Sequence, residues 1–487
     1  MKELPTLNAV SVKKKKYTPK VLQFGEGNFL RAFVDWIIQQ MNNKIDFDSS
    51  VVIVQPIENG NIDRLNAQDN LYTLQLNGIK NNKPVESTEV IDVIEKCINT
   101  YSDYEEYMDL VCGKDLRYII SNTTEAGISY NAEDKLYSKP QTSFPGKLTA
   151  LLYKRFTFFN GNKSKGLIII PCELIDNNGS KLKEFILKYI DLWKLGTGFK
   201  DWVDNSCLFT NTLVDRIVPG FPKGNADRIF KKLGYIDNCL VQGEIYHLWV
   251  LEDKTKKIQK DFPADKAGLN VLFVDDITPY KQRKVSILNG AHTSIVPVGY
   301  LYGIDTVRET VEHDILGKYL RDVIFEEIVP TVNLPHNELV EFANDVITRF
   351  KNPFIRHELF SISLNSTTKY KTRILPSVIK YMEMNNGVLP KKLLFSLAAL
   401  IVFYRGVRNG ETYQPVDNAE FIEMYNGLWN NFDGSKQGVK KITTHILGMK
   451  EHWGVDLNNF AGMNEFVTIS IFDILKNGII EAVNKVM

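Results

Sequence analysis

Cysteine is scarce in this sequence, and its spacing excludes two common kinds of site. Among the 487 residues there are five cysteines, and none of them forms a Cys-x-x-Cys pair. An odd number of widely spaced cysteines argues against a disulfide framework and against a zinc ribbon. The pattern is typical of reduced thiols, and we therefore predict a cytoplasmic protein without a metal site.

An excess of charge and a long apolar run are also missing. The chain has 59 basic and 58 acidic residues, a formal net charge of +1, which gives no electrostatic reason to expect nucleic acid or an anionic membrane as a partner. The most apolar run, residues 393–404, is too short to span a bilayer and predicts a buried helix instead. The first twelve residues lack the apolar core of a signal peptide.

Predicted strands and helices alternate in the first half of the chain. Short runs of β-branched apolar residues are typical of strands that are buried on both faces of a parallel sheet. Such runs lie at 20–25, 51–56, 117–122, 166–172 and 270–276. Because segments with helical periodicity separate them, the sequence predicts a doubly wound, Rossmann-like α/β domain over residues 1–277.

Helical periodicity dominates after about residue 280. The segments 315–329, 337–350, 391–404 and 465–486 repeat apolar residues at helical spacing, and strand signals are few. The change of pattern places a boundary near residue 278. We predict a mainly α-helical C-terminal domain over residues 278–487.

A glycine-rich loop follows the first predicted strand. A strand-to-helix junction of this kind is where backbone N–H groups and the helix dipole meet the pyrophosphate of a dinucleotide. Leu30 replaces the third glycine of the usual G-x-G-x-x-G pattern, so a simple tight turn is the alternative. The context favours a dinucleotide site, and the predicted cofactor-binding residues are Phe24, Gly25, Glu26, Gly27, Asn28 and Phe29.

Other cofactor contacts are expected where later strands end. The second strand ends in Gln55, where NAD enzymes commonly place a group that binds the ribose hydroxyls. Glu58 lies just beyond, and no arginine follows at once to favour a 2′-phosphate, so the sequence favours NAD over NADP. Asn122, Thr123 and Glu125 follow another strand at the same edge of the sheet and are further candidates.

The stretch KVSILNGAHT places three polar side chains in an apolar segment. At about 100° per residue in an α-helix, Asn289 lies roughly 140° from Lys284 and His292 roughly 80° from it, on one face. Each residue alone could be a satisfied polar group of the core. Three of them together are harder to explain in that way, because unpaired polar groups are costly to bury.

Together, the GEGNFLRAF loop and the Lys-x4-Asn-x2-His pattern resemble the mannitol dehydrogenase family of polyol-specific long-chain dehydrogenases. The resemblance extends over essentially the whole chain and implies a metal-independent, NAD-dependent oxidation of a secondary alcohol. Lys284 would be the acid or base for the substrate oxygen. Asn289 would stabilise the developing alkoxide, and His292 would bind the oxygen or orient Lys284.

The resemblance also implies a substrate site for a six-carbon sugar acid, a small-molecule partner. Asp215 would lie near the substrate or the nicotinamide, and Lys369 with Arg373 would bind the substrate carboxylate. Asn178 would be a second alkoxide donor, although a simple turn explains it equally well. The sequence Leu30-Arg31-Ala32-Phe33 replaces the His-Arg-Ala-His of mannitol and fructuronate members and indicates another branch.

Three alternatives remain open at this point. Tyr280 and Lys284 have the Tyr-x-x-x-Lys spacing of short-chain dehydrogenases. A zinc alcohol dehydrogenase would need clustered Cys and His ligands, which the sequence does not indicate. A sensor that binds the dinucleotide without catalysis would not need the Lys–Asn–His set. No pattern in the sequence indicates an oligomeric state.

Overall fold

Two compact units make up the chain in a computed structural model that describes residues 4–8, 12–80, 83–124 and 126–487. The first unit comprises Met1–Gly78 and Val85–Ile277, and the second comprises Ile79–Pro84 and Thr278–Met487. The described strands are, in chain order, β1 (Pro19–Phe24), β2 (Ser50–Gln55), β3 (Tyr72–Lys80), β4 (Lys83–Ile91), β5 (Ile94–Asn99), β6 (Tyr118–Ser121), β7 (Ile168–Pro171), β8 (Leu208–Phe209), β9 (Thr212–Asp215), β10 (Val241–Glu244), β11 (Leu248–Glu252), β12 (Val271–Val274), β13 (Val407–Arg408) and β14 (Glu411–Thr412).

The first unit is built on a six-stranded sheet. Its strand order is β5-β2-β1-β6-β7-β8, and each neighbouring pair is parallel. This is the order of a Rossmann fold, in which the chain leaves the central strand first to one side and later to the other. The predicted doubly wound architecture is confirmed. The switch point of the sheet lies between the carboxyl ends of β1 and β6, the place where such folds bind ligands.

Helices cover both faces of this sheet, as the apolar strands predict. Within β7, Ile168 and Ile170 belong to one buried cluster and Ile169 belongs to the other, because successive side chains of a strand point to opposite faces. The helices of the first unit are Asn28–Leu30, Arg31–Asp35, Trp36–Ile45, Ile62–Asn66, Tyr104–Asp109, Leu110–Cys112, Phe144–Phe158, Lys163–Lys165, Asn178–Leu192, Thr197–Ser206, Ala226–Leu233, Lys257–Asp261 and Ala264–Ala267.

One predicted strand lies in a different sheet from the one expected. The run at 270–276 forms β12, which pairs in parallel with β11, and β11 pairs antiparallel with β9. The prediction that it joins the parallel sheet was wrong, because a short apolar run reports burial and says nothing about its pairing partner. The sheet gains β5 instead, whose sequence IEKCIN exposes a charged residue within the strand.

The helix that follows the glycine loop buries a carboxyl group. It runs continuously over residues 28–45 and contains a π-helical turn, Arg31–Asp35. Asp35 is 0% exposed. Tyr72 donates its hydroxyl to Asp35 at 3.2 Å and to the Arg31 carbonyl at 2.7 Å. Burial raises the pKa of the Asp35 carboxyl from 3.8 to about 7, because it disfavours the charged form.

This carboxyl predicts a specific pH dependence of stability. The folded chain retains a proton that the unfolded chain has released, so Asp35 lowers the free energy of unfolding as the pH rises from 3.8 to about 7. We expect Asp35→Asn to remove this loss and to gain up to roughly 4 kcal/mol relative to the parent at pH 8. Denaturant unfolding of both proteins at pH 5 and pH 8 checks it, and parallel pH dependences would contradict it.

The second unit is mainly helical, as predicted. Its helices are Thr278–Arg283, Lys284–Asn289, Gly290–Tyr302, Val307–Glu312, Asp314–Asp322, Val323–Ile328, Val329–Thr331, His336–Phe350, Leu359–Ile362, Ser366–Arg373, Leu375–Met384, Lys391–Phe403, Ala419–Asn430, Lys436–Leu447, Lys450–Trp453, Leu457–Asn459, Met463–Asn477 and Ile479–Asn484. Between Leu393 and Phe403 every residue is buried, which confirms the predicted buried helix. No helix in the described ranges has the length and apolarity needed to cross a membrane.

Two π-helical segments lie side by side in this unit. Lys284–Asn289 and Val323–Ile328 are both π-helical, and they pack against each other. A π-helix bonds residue i to residue i+5, so side chains five positions apart are about one turn apart. Lys284 and Asn289 therefore lie nearly in line, closer together than the roughly 140° that an α-helix would give. The α-helical geometry that we predicted for this stretch was wrong in this respect.

Candidate active site

Gly25 lies at the switch point of the sheet, at a position that has no room for a side chain. Its φ is +117°, and a Cβ there would stand 2.9 Å from the Asn122 carbonyl oxygen. The Asn122 backbone N–H in turn donates to the Phe24 carbonyl at 3.1 Å. Backbone atoms at the ends of β1 and β6 are thus in contact. A glycine is needed here because the φ is positive and because a Cβ would clash with the Asn122 carbonyl oxygen.

Gly27 has a different environment, which suits a bound anion. It is the N-cap of the helix over residues 28–45, and no side chain caps that end. A Cβ on Gly27 would have no atom of the described residues within 4 Å. The first N–H groups of the helix are therefore available to an outside acceptor, next to the positive end of the helix dipole. This arrangement fits the pyrophosphate of a dinucleotide.

Arg31 holds the loop in this shape. Its guanidinium donates to the Glu26 carbonyl at 3.1 Å, to the Cys239 carbonyl at 2.5 Å and to the Asn28 side chain at 2.7 Å. The Glu26 carboxylate accepts the backbone N–H of Asn61 at 3.3 Å. Two of the predicted cofactor residues, Glu26 and Asn28, therefore have a structural part in the loop, and their contact with a cofactor remains a prediction.

The two aromatic residues that flank the loop differ in exposure. Phe24 is 0% exposed, with its ring 5.0 Å from that of Phe144. Only the backbone of Phe24 is placed to meet a ligand. Phe29 is half-buried and stacks on Phe33 with ring centroids 5.0 Å apart.

Gln55 fixes the loop that follows β2. Its amide donates to the carbonyl oxygens of Ile57 and Glu58, at 3.0 and 3.1 Å, and accepts from the Ile62 N–H at 3.3 Å. Both N–H groups of the amide donate within the protein, so Gln55 stabilises this loop by hydrogen bonds. Its predicted contact with the cofactor ribose stays a prediction. Glu58 is exposed and is the acidic group next to this position.

Glu173 is a buried carboxyl group that the sequence reasoning did not assign. It accepts the backbone N–H and the hydroxyl of Thr123, both at 2.9 Å, and the hydroxyl of Ser121 at 3.1 Å. Burial raises the pKa of Glu173. Thr123 is therefore oriented by Glu173, whereas Asn122 is half-buried beside Gly25. Glu125, another predicted cofactor residue, lies outside the described residues.

Asn178 is a structural residue in this geometry. It is 1% exposed. Its amide N–H₂ lies 3.1–3.3 Å from acceptors on Pro171, Glu173 and Thr212, and its oxygen accepts from the backbone N–H of Gly179 and of Thr212 at 2.9 Å. With these partners Asn178 joins the end of β7 to β9, and its predicted role as a second alkoxide donor stays a prediction.

Asp215 is the last residue of β9 and is 4% exposed. Arg216 follows it and is also buried, with its guanidinium bound to carbonyl oxygens and 4.2 Å from the centre of the Trp36 ring. The contact that we predicted between Asp215 and the substrate or nicotinamide remains a prediction.

In the second unit, the predicted Lys–Asn–His residues lie on one continuous helix over residues 278–302. Lys284 is the first residue and Asn289 the last residue of the π-helical segment of this helix, and both are half-buried. The segment packs against the helices His336–Phe350 and Ser366–Arg373. The second of these approaches so closely that a Cβ on Gly290 would stand 3.1 Å from the Arg373 carbonyl oxygen. The fold therefore brings the stretch 349–373 beside Lys284 and Asn289.

His292 is buried among rings and cations. It is 8% exposed, and its ring stacks on Phe350 with centroids 4.0 Å apart. Its Nε2 is buried and has no hydrogen-bond partner among the described residues. Burial lowers the pKa of His292 well below its usual value, and His357, Arg349, Arg373 and Lys369 lower it further. The imidazole is therefore neutral at physiological pH.

Lys369 and Arg373, predicted from the resemblance, lie on one helix beside His292. Lys369 donates to the Ile362 carbonyl at 2.7 Å. Burial lowers the pKa of both side chains, and Arg373 lowers that of Lys369 further. Arg349 and His357 join this group, and the sequence reasoning did not assign them. Their positions in the stretch RFKNPFIRHEL, shortly before Lys369, are a weak signal, because spacing alone does not show which side chains meet.

Two family models cover almost the whole chain. One, described as the mannitol dehydrogenase Rossmann domain, matches residues 19–289. The other, described as the mannitol dehydrogenase C-terminal domain, matches residues 276–474.

Similar curated proteins are named altronate oxidoreductase. The relative from Phocaeicola vulgatus is 50% identical over 486 residues, covering 99% of this chain and 100% of the relative. The one from Bacteroides thetaiotaomicron is 49% identical with the same coverage. The one from Escherichia coli is 45% identical over 481 residues and covers 99% of each chain.

Two solved structures share the fold at low sequence identity. D-sorbitol dehydrogenase in substrate-free form has a TM-score of 0.84 at 20% identity, over 98% of this chain and 100% of that chain. Pseudomonas fluorescens mannitol 2-dehydrogenase, in a ternary complex with NAD and D-mannitol, has a TM-score of 0.69 at 21% identity, over 99% of each chain.

Proposed function

Because this chain belongs to the mannitol dehydrogenase family, we propose that it is an NAD-dependent dehydrogenase that interconverts D-tagaturonate and D-altronate. The observation that carries the proposal is the group of cationic side chains beside His292: Arg349, Lys369 and Arg373. Such side chains bind anionic groups, among them a carboxylate, through charge-assisted hydrogen bonds. Full-length relatives named altronate oxidoreductase support it.

The first unit supplies the cofactor site in this proposal. The backbone N–H groups at Gly27 and the start of the helix over residues 28–45 bind the pyrophosphate. Gly25 lets β1 and β6 approach, and Asn122 and Thr123 line the same edge of the sheet. NAD is favoured over NADP because the exposed Glu58 carboxylate would repel a 2′-phosphate.

The second unit supplies the groups that act on the substrate oxygen. A bound nicotinamide cofactor would supply hydride chemistry at the reacting carbon. Lys284 gives a proton to the oxygen during reduction and takes it back during oxidation. Asn289, about one π-helical turn away, donates its amide N–H to the developing alkoxide. His292 binds the oxygen or orients Lys284. The alternative that Tyr280 provides the proton is tested by Tyr280→Phe, which should leave turnover largely intact.

A substrate panel tests the function. We expect purified protein to oxidise NADH with D-tagaturonate, with lower kcat/KM for D-fructuronate and for fructose, and with lower kcat/KM for NADPH than for NADH. The runner-up functions in the family are fructuronate reduction and mannitol or mannitol 1-phosphate oxidation. A preference for any of their substrates would reject the proposed one, and NADH binding without turnover of any of them would favour the dinucleotide sensor.

Lys369→Ala tests the carboxylate site. Removing this ammonium group should raise KM for tagaturonate by roughly 10-fold or more, since a charge-assisted hydrogen bond contributes about 1.5–3 kcal/mol. KM for NADH should be unchanged. Lys380→Ala, at an exposed lysine on the next helix that pairs with Glu383, is the matched control. An equal loss with fructose would mean that Lys369 contacts a hydroxyl or only supports the site.

A further inference from the structure

His357 is a buried-site histidine of the second unit that neither the family pattern nor the proposed mechanism uses. It lies between the helices His336–Phe350 and Leu359–Ile362 and is half-buried. Its ring meets that of His292 edge to face, with centroids 5.1 Å apart and an interplanar angle of 87°. Because Phe350 stacks on His292 at 4.0 Å, the two imidazoles are held in a fixed mutual orientation.

The charges around the imidazole pair are mainly positive. The charge of Arg349 lowers the pKa of both imidazoles, and the charges of Lys369 and Arg373 lower that of His292. Burial lowers the pKa of both histidines; His357 and the three cations lower that of His292 further, and Arg349 lowers that of His357 further. Each imidazole is therefore neutral and keeps one N–H donor.

Two carboxylates lie near these cations. The charge of Asp417 raises the pKa of Lys369. Burial and Glu341 raise the pKa of the Asp345 carboxyl, and the charge of Arg349 lowers it in part. Both Asp417 and Asp345 are carried by segments of the same unit. The two carboxylates reduce the positive potential at Lys369 and at Arg349. Burial alone accounts for the lowered pKa of Arg373.

We propose that His357 is a specificity-determining residue that donates a hydrogen bond to the carboxylate of the sugar-acid substrate, beside Lys369 and Arg373. This inference rests on the proposed function and names one more contact of the same site. The Nε2 of the neighbouring His292 is buried and has no hydrogen-bond partner in the described part of the chain, so the ring pair has polar capacity available to a ligand. A hydrogen-bond donor held in place by packing favours a substrate whose carboxylate accepts its hydrogen. It disfavours a substrate that has an uncharged group at that end.

Two substitutions separate a donor from a packing residue. His357→Phe keeps a flat ring against His292 and removes the N–H, whereas His357→Gln keeps an N–H donor and removes the ring. The measurement is the Kd of D-altronate for the full-length chain, by calorimetry with NADH bound so that no turnover occurs. We expect His357→Phe to weaken binding by about 10-fold and His357→Gln to weaken it by less than about threefold.

The opposite order would overturn the proposal. If His357→Gln weakens altronate binding and His357→Phe does not, His357 only supports His292, and equal effects of the two variants also count against it. His452→Phe is the matched control, because His452 is half-buried and its ring packs on Phe421 and Trp453 at 4.8 and 4.4 Å. Turnover of the parent protein tests the proposed function separately, since the binding measurement does not require it.

Discussion

Lys284→Ala should lower kcat by about 10²-fold or more, the range that general acid–base catalysis commonly contributes. The reason is that the substrate oxygen would lose its proton donor, while the cofactor site in the other unit keeps all its groups. KM for NADH should therefore change little. Steady-state kinetics with NADH and tagaturonate measure both constants. A primary amine in the buffer should partly restore the rate.

Two companion variants make this result specific. Lys284→Met keeps most of the aliphatic stem of the half-buried side chain, so it separates loss of the amine from loss of packing in the π-helical segment. Asn289→Ala should reduce kcat by roughly 10²–10³-fold, the effect of one alkoxide donor, and should leave KM for NADH unchanged. Near-normal turnover of Lys284→Ala would mean that the polar face of this helix is structural and that the mechanism is wrong.

Gly27→Val should weaken NADH binding by about 10²-fold or more, because the new side chain would stand where the pyrophosphate meets several backbone N–H groups, each contributing about 1.5–3 kcal/mol. The fold should tolerate the change, since a Cβ on Gly27 meets no atom within 4 Å and its φ of −64° is open to any residue. NADH fluorescence titration and the melting temperature give the two readouts.

Gly224→Val and Gly25→Ala bracket this experiment. Gly224 is exposed, and a Cβ there also meets nothing within 4 Å, so its substitution should change neither readout. Gly25→Ala should lower the melting temperature, because φ is +117° and the new Cβ would clash with the Asn122 carbonyl. If Gly27→Val binds NADH as the parent does, the loop is only a turn.

Local patterns in the sequence were sufficient for the architecture of each unit. The buried strands and the helical second half were predicted because strand and helix periodicities are properties of neighbouring residues. The glycine loop was predicted for a similar reason, since the strand, the glycines and the start of the helix are contiguous. The Lys284, Asn289 and His292 set came from spacing together with the family resemblance, and its roles remain predictions.

Tertiary structure decided everything that depends on which segments meet. A run such as 270–276 reports its own burial, but its pairing with β11 instead of the parallel sheet depends on long-range packing. The π-helical turn at Lys284–Asn289 was likewise not predicted from the sequence. Asn178 illustrates the same limit, because its six close contacts lie on residues up to 34 positions away in sequence.

What the sequence by itself determined is therefore the class of fold and the type of the elements whose periodicity is clear. Only the tertiary structure placed His357 against His292 and brought Arg349 near both imidazoles. The physical reason is range. Periodicity is a property of residues that are a few positions apart. The pairing of rings and charges depends on the packing of distant segments, since His292 and His357 are 65 residues apart in the chain.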